Sequence, residues 1–220
     1  MPEKKPKNWE ELVNDGDNYG GLGDKLSPEQ KIIFEAIKDK TILKIQDTYT
    51  FVKHGQVPDD HGLRIATLIA GFEPLKTLKT LIITHNRLGS EGVRILSQSK
   101  TLPKLEYLHL GSNDLGDEGA KIIAESPLFS EIRTLNLECN GITAAGACAL
   151  AQSPYLTRVT SLNLVDNRVG DEGALAFANS DTFSNLTYLH LGGNRIKSEE
   201  TRQALRHSSK LTRLETIKVF

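Results

Sequence analysis

Five asparagines, Asn86, Asn113, Asn140, Asn167 and Asn194, recur at a constant step of 27 residues. A fixed period of this length admits few architectures, because each period must be one supersecondary unit stacked on its neighbours. The flanking residues repeat with it. Leu78, Leu81, Ile83 and Leu88 surround the first asparagine, and Leu105, Leu108, Leu110 and Leu115 surround the second. The frame continues through Ile132, Leu135, Leu137 and Ile142, then Val159, Leu162, Leu164 and Val169, then Leu186, Leu189, Leu191 and Ile196. Alternating apolar residues before each asparagine predict a short strand. Gly92, Gly119, Gly146 and Gly173 then open helical patterns, with apolar pairs three apart such as Val93 and Leu96 or Ala147 and Leu150 on one face. Ser99, Ser126, Ser153 and Ser180 follow in the same step.

These copies resemble the leucine-rich repeats of the ribonuclease-inhibitor-like class, in which each 27-residue unit is a strand followed by a helix. The resemblance covers Leu75 to Phe220, about two thirds of the chain. It implies an α/β fold, a right-handed horseshoe solenoid with a parallel sheet on its concave side and helices on its convex side. Each unit leaves an apolar face that only a neighbour can cover. Burying one Leu, Ile or Val is worth about 1.5–3 kcal/mol, so the stacked frame residues form one continuous core.

The frame departs from itself at both ends. In the fifth unit Glu200 stands at the glycine position and Thr201 at the small apolar one, and the step slips to 28 before a last strand at Leu214, Ile217 and Val219. Before Leu75 the pattern blurs. Ser27-Pro28-Glu29-Gln30 is a helix start, with a serine cap and proline at the first helical position. Ile32, Ile33, Ala36 and Ile37 follow as a helical stripe, Ile42 to Val52 reads as one or two strands, and Gly62 to Leu68 resembles a repeat helix. The organisation expected is an arm over 1–26, a cap with a degenerate first repeat over 27–74, and the array over 75–220.

Composition narrows the function. The 220 residues carry 27 basic and 28 acidic side chains, a formal net charge of −1. That balance lacks the basic excess that nucleic-acid or anionic-membrane binding usually leaves. No apolar run approaches the ~20 residues of a membrane helix, so no membrane insertion is expected. The start has charge but no following apolar stretch, which argues against a secretory signal and for a cytoplasmic location, with signal-independent secretion left open. Two cysteines exclude a disulfide scaffold.

Catalytic readings fare poorly. The asparagines suit a structural ladder, because unpaired buried amides at each turn would cost about 1–3 kcal/mol apiece. With neighbouring strands about 4.8 Å apart, His109 and His190 sit roughly 14 Å from each other, too far for one metal. Cys139 lies about 11 Å from His109, where a nucleophile and base need about 3 Å. Glu138 and Asp166, on adjacent units, are expected to be independently solvated. Gly20 to Lys25 lacks phosphate-loop spacing, and the run from Asp15 fails as a calcium loop at Tyr19 and Leu26. The Asn185-Leu186-Thr187 sequon contains a frame leucine. The Gly-Asp-Glu-Gly runs at 116–119 and 170–173 read as helix starts, whose dipoles favour carboxylates. No catalytic residue, cofactor, metal or small-molecule substrate is expected.

Side chains between the frame positions face outward from the strands. One column reads Ile82, His109, Asn136, Asn163, His190 and Lys218, and its neighbour Thr80, Tyr107, Thr134, Ser161, Tyr188 and Thr216. The same Tyr–His pair thus recurs in two units. Tyrosine gives large contact area at low entropic cost. The expected protein-contact set is Tyr107, His109, Asn136, Glu138, Asn163, Asp166, Tyr188 and His190. The expected function is a non-enzymatic module that binds an unidentified protein partner on the concave sheet. The alternatives are regulators of enzymes. One resembles the leucine-rich repeat activators of small GTPases, whose longer arrays and acidic tail this chain lacks. The other resembles ribonuclease inhibitor, which is richer in cysteine and alternates its repeat lengths. The uniform unit also resembles repeats common in bacterial proteins, including effectors.

Overall fold

Strand and helix alternate once per period along the chain. The structure, a computed structural model, describes residues 41–46, 60–71, 75 and 77–219. The expected arm over 1–26, the helix starting at Ser27, the stretch from Asp47 to Val52 and Phe220 lie outside the described residues. Among the described residues, seven strands form one sheet in chain order: β1 (Ile42–Gln46), β2 (Thr80–Thr84), β3 (Tyr107–His109), β4 (Thr134–Asn136), β5 (Ser161–Asn163), β6 (Tyr188–His190) and β7 (Thr216–Lys218). Every neighbouring pair is parallel. Between them run α1 (His61–Gly71), α2 (Gly89–Ser97), α3 (Gly116–Glu125), α4 (Ala144–Ala151), α5 (Gly170–Ala178) and α6 (Glu199–Arg206), each packed on the next. Parallel strands require such crossovers, and a helix supplies each one here. The result is an α/β solenoid with one sheet layer and one helix layer.

The register follows the period. Tyr107 pairs with Thr134, Thr134 with Ser161, and Ser161 with Tyr188, each 27 residues on. The 28-residue slip is absorbed before β7, where Tyr188 still faces Thr216. At the other end Ile42 faces Thr80, and β1 and α1 join the same two layers. The frame residues fill the space between those layers. Leu81, Leu108, Leu135, Leu162 and Leu189 are all fully buried, as are the helix residues Val93, Ile123, Leu150 and Phe177. Phe177 meets Phe183 at 5.5 Å between ring centroids, so the helix and its exit turn share one apolar contact.

Two polar ladders close the ends of the units. The five asparagines are buried, and each directs its side chain to its own turn and to the preceding coil. Asn113 Nδ2 donates to Ile83 O at 2.7 Å and to Gly111 O at 3.1 Å, and its Oδ1 accepts from Asn86 N at 3.0 Å. Asn140 repeats this with Leu110 O at 2.8 Å and Asn113 N at 2.9 Å, and Asn167 with Leu137 O and Asn140 N. Asn194 donates to Leu164 O and accepts from Val169 N. At the helix exits, Ser99 Oγ donates to Ala70 O at 2.6 Å and Ser180 Oγ to Ala151 O, with Ser153 and Ser208 bonded likewise to Ala124 O and Ala178 O. These hydroxyls bind successive helices where their last carbonyls would otherwise be unpaired.

Candidate binding face

The outward sides of β1 to β7 form a continuous strip, and the predicted columns are in register across it. Ile82, His109, Asn136, Asn163, His190 and Lys218 are aligned neighbours, extended at one end by Lys44. Tyr107, Thr134, Ser161 and Tyr188 align beside them. All eight expected contact residues therefore lie on this face or on the turns leaving it. Seven are half-buried, and Asp166 is exposed.

Four of them make one connected cluster. Asn163 Nδ2 donates to Glu138 Oε2 at 2.8 Å, and Asn136 Nδ2 donates to the same oxygen at 3.3 Å. The amide oxygens also fix the backbone: Asn136 Oδ1 accepts from Glu138 N and Asn163 Oδ1 from Val165 N, both at 3.0 Å. The second oxygen, Oε1, stands 3.4 Å from His109 Nε2, a long approach without the alignment of a hydrogen bond. Glu138 is thus held by its neighbours and is not the independently solvated carboxylate expected from its open setting. Gly111 makes this possible, since a β-carbon there would fall 2.9 Å from Glu138 Cγ and 2.8 Å from His109 Nε2.

Burial pushes the His109 imidazole below its ordinary pKa, against the raising influence of Glu138. His190 is also lowered, by burial first and by Lys218 second. Tyr188 joins it, with the hydroxyl 3.4 Å from His190 Nδ1, and Lys218 Nζ lies 5.7 Å from the Tyr188 ring centroid.

Asp166 belongs to a different feature. His85, Ser112, Cys139, Asp166 and Gly193 each take a left-handed backbone at the turn beyond the strand. A side chain on Gly193 would collide with Asp166 Oδ1, so the only glycine in that column sits beside the carboxylate. Cys139 Sγ lies 3.9 Å from Asp166 Oδ2. Partial burial and then the Asp166 charge raise the Cys139 pKa, the opposite of an activated nucleophile. Both cysteines are free. Among the described residues, no group of three or more His, Cys, Asp and Glu side chains is placed to hold a metal ion. No helix among them is long and apolar enough to cross a membrane.

The acidic helix starts do more than meet their own dipoles. Asp117 reaches the next unit, where Oδ1 accepts from Thr143 N at 2.7 Å and Gly146 N at 3.0 Å, and Oδ2 accepts from the Thr143 hydroxyl at 2.7 Å. Asp171 accepts from Lys197 N and Ser198 N in the same way. The aspartates fall at equivalent positions of their units, which is the signal that marks them, although spacing alone does not say which helix they serve.

A family model described as Leucine Rich repeat matches residues 75–97, 101–124, 132–151, 155–178 and 184–199, one match per unit. This chain is a leucine-rich repeat protein. Members of that family are typically protein-interaction modules and not enzymes. A search of curated proteins returns no match. Among solved structures, an internalin from Listeria monocytogenes is similar at 22% identity and a TM-score of 0.46. The alignment takes in 69% of this leucine-rich repeat chain and 36% of the internalin chain, so the two correspond over about a third of the latter.

Proposed function

We propose that this leucine-rich repeat protein is a non-enzymatic recognition module that binds a protein partner on its strand face, the concave side of such an array. The observation that carries this reading is the pair of Tyr–His units on β3 and β6, flanking an amide–carboxylate cluster on β4 and β5. Tyrosine is enriched where interfaces concentrate their energy, and amides and a carboxylate supply directional bonds. The parallel sheet beneath fixes these groups on rigid elements, which lowers the ordering cost of binding. The uniform 27-residue strand–helix unit supports placing the array in the ribonuclease-inhibitor-like class.

The test is affinity capture with the intact chain, followed by a binding isotherm for the captured protein. Tyr107→Ala combined with Tyr188→Ala keeps the fold, since both side chains stand outside the core, and weakens capture at least tenfold. Unchanged affinity in a folded double variant refutes the strand face as the binding surface.

A further inference from the structure

We infer that the strand face recognises an arginine side chain of its partner, seated on the Glu138 carboxylate between β3 and β5. This rests on the proposed function and specifies its chemistry. Glu138 is a half-buried acid with its side chain 34% exposed. Its contacting polar side chains are two amide groups and the His109 ring, with His190 and Cys139 within electrostatic reach. Among the described residues, no lysine or arginine forms an ion pair with it. The amides fix the carboxylate but add no formal charge, and burial favours the neutral form of His109. A partly desolvated anion held in a fixed pose, without a cation of its own, is complementary to a cation arriving from outside.

The free acceptors select among cations. Oε2 already receives two N–H groups, while Oε1 faces a ring nitrogen that makes no hydrogen bond. Each of the Asn136 and Asn163 Oδ1 atoms accepts one backbone N–H, which leaves a lone pair on each. Three acceptors therefore cluster within two adjacent strands. A guanidinium carries five donors in a planar fork and sheds water more readily than an ammonium, so it matches this array better than lysine does. Gly111 leaves the neighbouring position without a side chain that would cover the carboxylate. Lys44 and Lys218 stand at the two ends of the same column, on β1 and β7, and neither forms an ion pair with Glu138.

The experiment is selection of a displayed random peptide library on the intact protein, counter-selected on the Tyr107→Ala/Tyr188→Ala variant to keep peptides that use the strand face. The selected peptides share an arginine. Replacing that arginine with glutamine weakens binding to the wild type about tenfold or more, and the penalty shrinks to less than threefold on Glu138→Gln. Replacement by lysine costs less than replacement by glutamine. Face-dependent peptides that lack arginine, or an arginine penalty undiminished in Glu138→Gln, overturn the inference and leave the proposed function standing. Failure to select any face-dependent peptide overturns both.

Discussion

A single buried amide in this protein performs several bonding tasks at once. Asn140 donates to Leu110 O, Leu137 O and Glu138 O and accepts from Asn113 N, so its loss strands buried backbone groups in two coils. Asn140→Ala should cost about 3 kcal/mol in urea unfolding, given 1–3 kcal/mol for each unsatisfied buried group. A loss below about 1 kcal/mol would remove the ladder from the account of stability. The histidines make a second prediction. His109 and His190 are held below the ordinary value of 6.5, so near that pH the unfolded chain binds more protons than the native one. Their contribution is intact above pH 6.5 and is lost as pH falls through that value toward the lower native pKa. His109→Gln should therefore flatten the fall in stability between about pH 7.5 and 5.5, and a slope equal to the wild type would contradict the burial of its neutral form. The asparagines were legible in the sequence because a strict step announces them. The Glu138 cluster was not, because it joins residues 2, 25 and 29 positions apart and depends on the missing side chain of Gly111.

The starts of α4 and α6 are each held by an aspartate of the unit before. Asp117 lies in the first turn of α3, yet its carboxylate receives the Thr143 and Gly146 amides at the start of α4. Asp117→Ala should destabilise the protein by about 1–2 kcal/mol, the range for a charged helix cap, whereas Asp117→Asn retains an acceptor and should cost less. Equal costs would assign the effect to charge alone. Packing between helices is equally close. A β-carbon on Gly173 would come within 2.7 Å of Val169 Cγ1 and 2.8 Å of Ala147 Cβ, which links α5 to α4. Gly173→Val should separate those helices and lower the melting temperature by several degrees or more, as overpacking typically costs about 1–3 kcal/mol. Strand and helix positions were readable from the frame residues, since apolar spacing reports which side of an element is buried. Partners across units were not readable, because Asp117 satisfies a helix-start pattern whichever helix it caps.

Across the whole molecule, stability and recognition come from the same stacking. Successive coils bury one another's apolar faces, and the strands that carry Tyr107, Asn136, Asn163 and Tyr188 are fixed in register by that burial. The helix layer offers a different surface, including a groove of about 380 Å³ beside Lys121, Ala124, Cys148 and Gln152. The solenoid itself was legible from one period, but the period is equally strong in both layers and does not choose between them. Hydroxyl-radical footprinting of the complex with a captured partner separates the two surfaces directly. Binding on the strand face requires that Tyr107, Tyr188 and His190 lose reactivity while Cys148 on α4 keeps it. Protection of Cys148 with unchanged reactivity at both tyrosines would contradict it.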